Sequence, residues 1–213
     1  LHLGTDGKLR SSLSTATQIT SPGAVKYNDG EWHHVAVTYS SNSKVEVLYV
    51  DGVAIGEQTN SGICAPASYD YYVGTGYTAS MTGGNGGWHF FAGKLDDAAI
   101  HPRALTPTEV ADHYRAGAVP NPVAIYNFDE TSGTVAADSS SNANDATYNN
   151  NPTRGVAGAL ATGTAISLNG TNQYVTLPAT PFSNVATTPW SATVEVWFNA
   201  AAGASGTILS QQN

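Results

Sequence analysis

Residues 30–55 constrain the fold of this 213-residue chain more than any other stretch. Two runs within it, 35–39 and 44–49, alternate apolar with other side chains, and alternate side chains of a strand lie on the same face. Asp51 and Gly52 separate the second run from a third one. An Asp-Gly pair is a strong signal for a two-residue hairpin turn, because both turn positions need a positive φ. The stretch therefore predicts a three-stranded antiparallel meander.

The alternation in these runs predicts a sheet that is covered on one side. Lys44 and Glu46 alternate with the apolar residues of the second run, and we expect them to face away from the covered side. The residues expected on the covered side are Val35, Val37 and Tyr39 in the first run and Val45, Val47 and Tyr49 in the second.

The same stretch carries a family pattern. An Asp-Gly pair at 29–30 precedes Trp-His-His-Val-Ala-Val-Thr-Tyr at 32–39, and Leu-Tyr-Val-Asp-Gly follows at 48–52. This pattern resembles the laminin-G-like jelly roll of the concanavalin A-like lectin/glucanase superfamily. The resemblance implies an all-β fold, a concanavalin A-like jelly-roll β-sandwich of two antiparallel sheets with one short helix. It implies less about function, because the fold hosts lectins, adhesion modules, enzyme appendages and glucanases.

One helix is predicted from its terminal signals. Thr106 supplies an N-cap hydroxyl, Pro107 stands at the first helical position, and Glu109 completes a capping box. Gly117 supplies a C-terminal stop. These signals predict a helix that begins at Pro107 and ends at Ala116.

The segments that resemble the family stand in an inverted order. Residues 93–114 resemble its closing signature, an Asp pair followed by an Arg-Ala-Leu-Thr turn and a short helix, whereas residues 123–133 resemble its opening strand. Residues 1–118 thus correspond to the C-terminal half of a laminin-G-like domain and residues 119–213 to the N-terminal half. A Pro- and Gly-containing linker at about 117–122 joins them. Together the two segments are equivalent to one β-sandwich.

Three explanations of this order stay open. The chain is one period of a tandem array, a circular permutant or a proteolytic fragment. In an array, strands of one copy would complete the sandwich of its neighbour, so the partners would be copies of the chain and the assembly a filament. In a monomer, the two segments would close on each other. The chain begins at Leu1 without Met or a signal peptide, which we interpret as an internal segment of a longer protein.

The charge balance excludes one class of partner. The chain has 16 Asp and Glu residues against 8 Lys and Arg residues, a net charge of −8. The scattered basic residues form no stripe, so a nucleic-acid partner is not expected. No apolar run approaches the roughly 20 residues of a membrane span. The acidity favours a secreted or cell-surface protein, and Cys64, the sole cysteine, excludes an internal disulfide.

The carboxylates form no catalytic pattern. Glucanases of the superfamily place carboxylates at alternate strand positions, and retaining hydrolysis needs a pair about 5 Å apart. The sequence has no Glu-x-Asp-x-x-Glu run. Glu195 is isolated and is expected to face solvent, while Asp96 and Asp97 are adjacent and are expected on opposite faces of a strand. We therefore predict that the protein is not an enzyme.

Two adjacent histidines and one sequon also have structural interpretations. His33 and His34 are expected on opposite faces of a strand, so they cannot bind one metal ion together. We expect one to be hydrogen-bonded in the core and the other to be partly exposed. Asn169 begins an Asn-Gly-Thr sequon, and Asn-Gly is also a plain turn, which we prefer.

Four aromatic residues divide into core and surface candidates. Trp32 and Trp197 lie in patterned strands and are expected in the core. Trp88 follows a Gly-rich loop at 75–87, and such loops often rim a binding surface. Trp88, together with Tyr77, is therefore the candidate for a ligand-binding aromatic side chain.

The resemblance also implies a structural Ca²⁺ site. Several family members hold Ca²⁺ where the two ends of the domain pack side by side, and Ca²⁺ takes roughly six to eight oxygen ligands. The alternative is that Asp138 begins an Asx turn and that Asp96 and Asp97 cap strand ends. The ligands that the resemblance implies are Asp138, Asn142 and Asp97, with Asp145 and Asp96 as further candidates.

Two functions follow from these observations. The first is a non-catalytic extracellular structural or adhesion repeat, one period of a tandem or filament-forming surface protein. The alternative is a carbohydrate-binding module of a larger secreted enzyme or adhesin, with an extracellular glycan as ligand. A glycan binder is expected to expose aromatic side chains beside polar partners. A structural repeat is expected to bury its largest interface against a copy of itself.

Overall fold

The fold is given by a computed structural model, which describes most of the chain. Cys64 and all but the last residue of the expected linker at 117–122 lie outside the described residues. The described residues are 1–13, 17–59, 70–116, 122–179 and 191–212.

Antiparallel strands and one helix make up the regular structure of the described residues. In chain order the elements are β1 (His2–Leu3), β2 (Leu9–Ser11), β3 (Ile19–Thr20), β4 (Trp32–Ser40), β5 (Val45–Val50), β6 (Val53–Thr59), β7 (Asp70–Val73), β8 (Ala92–His101), α1 (Pro107–Ala116), β9 (Ala124–Tyr126), β10 (Val135–Ala136), β11 (Ala146–Asn149), β12 (Thr153–Ala157), β13 (Thr164–Asn169), β14 (Tyr174–Leu177), β15 (Ala192–Asn199), β16 (Gly206–Thr207) and β17 (Leu209–Gln212).

These strands pair into three sheets. The eight-stranded sheet has the order β12-β13-β8-β15-β4-β5-β6, with β9 also paired to β8. The five-stranded sheet has the order β10-β11-β14-β7-β17, and the four-stranded sheet has the order β16-β1-β2-β3. The predicted all-β class with antiparallel sheets and one short helix is confirmed. The small four-stranded sheet was not predicted.

The meander predicted for residues 30–55 is present as β4, β5 and β6. Asp51 and Gly52 form the turn between β5 and β6 with φ values of 51° and 77°, the positive values that such a turn needs. The Asp51 carboxylate also accepts a hydrogen bond from the His34 backbone N–H at 2.9 Å and lies 2.9 Å from His33 Nδ1. These contacts tie the turn to β4.

Both sides of β4 and β5 are covered, so the expectation of one covered side is wrong. Val35 and Val37 pack with Leu48 and Val50 in the main hydrophobic core. The opposite side faces α1 and forms a second cluster, because Val110 of the helix and Leu105, which precedes it, pack against these strands. The members of that cluster are Ala36, Tyr49, Leu105 and Val110.

Glu46 is buried, contrary to the expectation that it faces away from the covered side. It lies on the same side of β5 as the core residues Leu48 and Val50, and its exposed fraction is 0%. One carboxylate oxygen accepts a hydrogen bond from Ser11 Oγ, and the other accepts one from Gln58 Nε2 at 2.7 Å. A buried charge is costly without partners, so these hydrogen bonds allow Glu46 to occupy the position.

Helix α1 has the bounds predicted from its capping signals. Thr106 Oγ1 accepts a hydrogen bond from the Glu109 N–H at 3.3 Å, and Glu109 Oε2 accepts one from the Thr106 N–H at 2.8 Å. Arg103 donates two further hydrogen bonds to the Glu109 carboxylate, at 2.8 and 2.7 Å. The start of the helix is thereby fixed to the segment that follows β8. No helix in the described ranges has the length and hydropathy of a membrane span.

Strand β15 lies between β4 and β8 in the eight-stranded sheet. It pairs with β4 over its full length and with β8 along its other edge. β15 belongs to residues 119–213, whereas β4 and β8 belong to residues 1–118. Strands from the two segments therefore lie in one sheet, and the strand pairing considered between neighbouring copies is made within a single chain.

Strand β8 is irregular at Asp97, which has a φ of 46°. Its register with β15 shifts between Glu195 and Trp197, as it does at a β-bulge. On its other edge β8 changes partner at the same point, from β13, which pairs with Leu95, to β9, which pairs with Ala98. The bulge therefore lies where two successive neighbours of β8 meet.

His33 gives the fold a pH-dependent contribution to stability. His33 Nδ1 lies 2.9 Å from Asp51 Oδ2, and His33 Nε2 lies 3.3 Å from Asp29 Oδ1. Burial lowers the pKa of His33, but the two carboxylates together outweigh burial and raise it above the ordinary value. The resulting stabilisation is complete below the unfolded-state pKa of about 6.5. It is lost as the pH rises through the folded-state pKa.

We expect His33→Gln to lower the free energy of unfolding more at about pH 5.5 than at about pH 8.5, with a difference on the order of 1 kcal/mol. Urea denaturation at the two pH values measures this difference. The substitution also removes ring contacts with Tyr27 and Phe198, but that loss is the same at both pH values. Equal destabilisation at the two pH values would contradict the prediction.

Candidate functional site

A cleft of about 400 Å³ lies at the bulge of β8. Asp96 and Asp97 come from β8 itself, Asn127 and Asp129 follow the end of β9, and Gly163 precedes β13. The cleft is thus built where the edge of β8 passes from one neighbouring strand to the other. The lining residues are Asp96, Asp97, Ile125, Asn127, Asp129, Leu160, Thr162 and Gly163.

The bulge brings together two acids that we expected on opposite faces of a strand. Side chains alternate only along a regular strand, and Asp97 has a left-handed backbone conformation. Asp96 and Asp97 therefore both line the cleft, and the expectation was wrong. Asp96 Oδ2 accepts a hydrogen bond from the Ala159 N–H at 2.8 Å, and Asp96 Oδ1 accepts one from the Asp97 N–H at 3.0 Å.

Three carboxyl groups, those of Asp96, Asp97 and Asp129, are concentrated in this cleft. Burial, reinforced by neighbouring carboxylates, raises the pKa of Asp96 to about 7 and that of Asp97 to about 6. Asp129 contributes to both shifts, and its own carboxylate accepts hydrogen bonds from the Thr164 N–H and hydroxyl. Three carboxylates and the Asn127 amide form the kind of oxygen donor set that Ca²⁺ prefers.

Asp138 binds its own loop with both carboxylate oxygens. Oδ1 accepts hydrogen bonds from the backbone N–H groups of Ile125 at 2.9 Å and Ser140 at 2.8 Å. Oδ2 accepts hydrogen bonds from Ser140 Oγ at 2.8 Å and from the Asn144 N–H at 2.9 Å. This is the Asx-turn arrangement given as the alternative to a ligand role, and it fixes the loop to β9.

The five implied calcium ligands fall into two groups. Asp96 and Asp97 line the cleft, whereas Asp138, Asn142 and Asp145 belong to the loop beside β9. In that loop Asn142 Nδ2 donates to the Val123 carbonyl at 3.2 Å, and Asp145 Oδ1 accepts from the Asp138 N–H at 2.9 Å.

Sequence reasoning missed Asn127 and Asp129 as members of the cleft. The available signal was their position directly after the strand that resembles the family's opening strand. This places both residues at the end of β9, next to the bulge of β8.

Aromatic side chains form a second candidate site, on the outer side of β7 and β14. Trp88 is 47% exposed and Tyr77 is 49% exposed, and the two residues pair as an isolated β-bridge with ring centroids 6.0 Å apart. Tyr72 lies 6.1 Å from Trp88 and 5.5 Å from Tyr174, both edge to face. Phe90 lies 6.1 Å from Tyr174. We call this set, Tyr72, Tyr77, Trp88, Phe90 and Tyr174, the aromatic face.

Polar groups adjoin the aromatic face. On β14 and β17, Thr176 and Ser210 are the residues opposite Tyr72, and residues directly opposite in antiparallel strands share a face. Asn149 is opposite Tyr174 in the same way and donates a hydrogen bond to Thr176 Oγ1 at 2.9 Å. The face therefore combines partly exposed rings with hydroxyl and amide groups.

Asn85 holds the loop that positions Trp88. Asn85 Nδ2 donates to the Trp88 carbonyl at 2.9 Å, and Asn85 Oδ1 accepts from the Gly87 N–H at 3.0 Å. Thr78 closes the base of the loop, because its N–H donates to the Gly87 carbonyl at 2.8 Å and its hydroxyl to Asn85 Oδ1 at 3.1 Å. Short polar contacts thus hold a Gly-rich segment in one conformation.

Glu195 occupies a third position of chemical interest, and the expectation that it faces solvent is wrong. It is 2% exposed, because it lies on the side of β15 that faces α1. Glu195 Oε1 lies 2.8 Å from His101 Nε2 and 3.0 Å from His113 Nδ1, and Oε2 lies 3.4 Å from His34 Nε2. Burial alone would raise the pKa of Glu195, but the hydrogen bonds from these histidines lower it well below its usual range. The hydrogen bond between Glu195 and His113 also raises the pKa of His113.

No local pattern in the sequence indicates this cluster. Its members come from β4, β8, α1 and β15, and they are separated by up to 161 residues in the chain, from His34 to Glu195. Of the two adjacent histidines, His34 is buried and His33 is partly exposed. The pairing of β15 with β4 brings Glu195 to His34, and its pairing with β8 brings Glu195 to His101.

Two further tryptophans and the sequon were also considered in the sequence analysis. Trp197 is buried and stacks on Tyr114 with centroids 5.5 Å apart, while Trp32 is half-buried. Asn169 Oδ1 accepts a hydrogen bond from the Thr171 N–H at 2.9 Å, which is the geometry of an exposed Asx turn.

The chain belongs to the concanavalin A-like lectin/glucanases superfamily. A laminin G model of that superfamily matches residues 1–111, which is more than half of the chain. This match and the antiparallel sheets confirm the family and the fold class expected from residues 29–52.

Human pentraxin-4 is similar to part of this chain. The two are 35% identical over 86 residues, which are 39% of this chain and 18% of pentraxin-4. The chain therefore spans less than a fifth of that relative's length. No solved structure matches the chain significantly.

The hydrogen bonds of Asn85 predict that removal of its side-chain amide destabilises the protein. We expect Asn85→Ala to lower the free energy of unfolding by about 1–2 kcal/mol, because several hydrogen bonds of the loop are lost. Thermal denaturation followed by circular dichroism measures the effect. The matched control is Asn42→Ala in the exposed turn between β4 and β5, which is expected to change stability by less than about 0.5 kcal/mol. Equal effects of the two substitutions would contradict the prediction.

Proposed function

We propose that this domain is a non-catalytic extracellular binding module that binds a glycan on its aromatic face. The observation that carries the proposal is the pair Trp88 and Tyr77, which stay about half exposed although the loop around them is tightly hydrogen-bonded. The laminin G family match and the net charge of −8 support an extracellular setting. The sequence has no Glu-x-Asp-x-x-Glu run that would supply a pair of catalytic carboxylates.

A saccharide suits both components of the aromatic face. The C–H side of a sugar ring packs against an aromatic ring, while its hydroxyl groups form hydrogen bonds with neighbouring polar side chains. Trp88 and Tyr72 provide the rings, and Thr176, Asn149 and Ser210 provide the polar groups on adjacent strands. A neutral sugar also avoids the repulsion that an acidic ligand would meet on an acidic protein.

The structural-repeat function has less support than the binding function. The strand pairing that an array would place between copies is made here within one chain, since β15 lies between β4 and β8. The inverted order of the two family segments stays a proposal, as do its three explanations.

Affinity electrophoresis of the chain in gels that contain xylan, β-glucan, galactomannan or alginate tests glycan binding. We expect at least one neutral polysaccharide to slow migration. Trp88→Ala is expected to weaken that binding about tenfold or more, equivalent to about 1.4 kcal/mol, whereas Trp88→Phe is expected to retain more of it.

The control for non-specific hydrophobic retention is Val53→Ala, since Val53 is 63% exposed and lies outside the aromatic face. It is expected to bind like the unmodified chain. The proposal fails if none of the polysaccharides slows the unmodified chain, or if Trp88→Ala migrates as the unmodified chain does.

The acidic cleft is proposed as a structural Ca²⁺ site that supports this module. Asp96, Asp97 and Asp129 would supply carboxylate oxygens and Asn127 an amide oxygen. The cleft and the concentration of carboxylates in it support the assignment. When bound, the ion would neutralise this charge and join β8 to the end of β9. The Asp138 loop, which includes Asn142 and Asp145, would hold β9 in place through its hydrogen bonds to Val123 and Ile125.

Calcium binding predicts a measurable gain in stability. A ligand at about 100 times its Kd raises the free energy of unfolding by about 2.7 kcal/mol. We expect millimolar Ca²⁺ to raise the Tm relative to EDTA, and Asp97→Asn to abolish most of that rise. Asp112→Asn, an exposed acid on α1, is the control and is expected to keep the full rise. A Tm that is the same in EDTA and in Ca²⁺ would rule out this site.

A further inference from the structure

We propose that His101, His113 and Glu195 form a buried binding site for a zinc-type transition-metal ion. The site is separate from the acidic cleft and from the aromatic face. It lies on the side of the eight-stranded sheet that α1 covers, opposite the main core.

The three donor atoms already converge. His101 Nε2 and His113 Nδ1 lie 2.8 and 3.0 Å from Glu195 Oε1, and the potential ligand atoms all lie within 4.8 Å of one another. Ligand atoms at about 2.0–2.1 Å from a tetrahedral zinc ion are about 3.3 Å apart. An ion therefore fits among these atoms if the two contacts with Glu195 widen by about 0.3–0.5 Å and the two ring nitrogens settle at about the same 3.3 Å spacing.

The donor types select the class of metal. Two imidazole nitrogens and one carboxylate oxygen are a donor set that zinc uses in proteins. Calcium and magnesium instead prefer oxygen donors alone, which is the chemistry of the acidic cleft. The two sites are thus expected to bind different metals.

His34 has the geometry of a positioning residue for this site. Its Nε2 lies 3.4 Å from Glu195 Oε2, an oxygen that His113 Nδ1 also contacts at 3.2 Å, and it has no close contact with Oε1, the oxygen nearest to His101 and His113. Its Nδ1 is buried and has no hydrogen-bond partner within the described part of the chain. Groups that form hydrogen bonds with a metal-binding carboxylate fix its orientation and strengthen metal affinity. We assign His34 this role and not that of a direct ligand.

The ligands come from elements that the fold already holds together. His101 ends β8, Glu195 lies in the middle of β15, and His113 lies in α1, whose start is fixed by Arg103 and Glu109. The rings of His101 and His113 stack with centroids 5.5 Å apart. A bound ion would therefore cross-link α1 to two strands of the eight-stranded sheet.

Burial determines how the ion enters. The side chains of His101, His113 and Glu195 are 1%, 4% and 1% exposed, so an ion reaches them only when the chain opens. We therefore expect metal to be acquired during folding and to exchange slowly afterwards, since metal binding of this kind is coupled to folding.

Refolding in the presence of metal is the direct test. The full chain, without a polyhistidine tag, is unfolded in guanidinium with EDTA and refolded with an equimolar amount of Zn²⁺ or Co²⁺. After desalting, elemental analysis is expected to find about one zinc ion per chain. The Co²⁺ form is expected to show the visible ligand-field absorption of a four- or five-coordinate site.

Four variants separate this site from general metal binding. His101→Gln and His113→Gln are expected to lose the retained zinc, and His34→Gln to keep it with about 10- to 100-fold lower affinity. The matched control is His89→Gln, because His89 is also buried but is hydrogen-bonded to Ser205. It is expected to retain zinc like the unmodified chain.

Two outcomes would overturn the proposal. One is an unmodified chain that refolds but retains no zinc and shows no Co²⁺ ligand-field absorption, which would leave the cluster as a hydrogen-bonded network. The other is equal retention of zinc by His113→Gln and the unmodified chain. If a variant fails to fold, the Co²⁺ spectrum of the unmodified chain decides.

Discussion

The placement of β15 between β4 and β8 is the constraint on which the rest of the structure depends. Val196 and Phe198 of this strand enter the main core, while Glu195 and Trp197 face α1. One strand therefore supplies apolar area to the core and a carboxylate to the side covered by the helix. Because β15 comes from a different segment than its two neighbours, the sheet is complete only when both segments are present.

Local features of the fold were predictable because their signals are local. The turn at Asp51 and Gly52 and the helix that starts at Pro107 each follow from residues within a few positions of one another. Glu46 and Glu195 were not placed correctly, because the groups that make their burial tolerable come from other strands and from the helix. Alternation also failed at Asp97, where the change of partner from β13 to β9 permits a bulge. Long-range pairing determined each of these positions.

The three candidate sites differ in chemistry because they occupy different kinds of position. The acidic cleft lies at an edge irregularity and gathers oxygen donors, while the cluster around Glu195 lies under α1 and adds imidazole nitrogens. The aromatic face is the accessible one, and a hydrogen-bonded loop holds Trp88 there. Family membership explains the scaffold that these sites share, and the residues at each site determine what it binds.

Native-state hydrogen exchange of the full chain tests most directly whether β15 lies between β4 and β8 in one sheet. We expect the backbone amides of Val194 and Val196 to exchange only through global unfolding, with the same free energy of opening as those of Val35, Val37 and Ile100. Amides in β15 that exchange much faster, while those in β4 and β8 stay protected, would contradict this expectation. That result would mean that the two segments do not form one cooperative sheet.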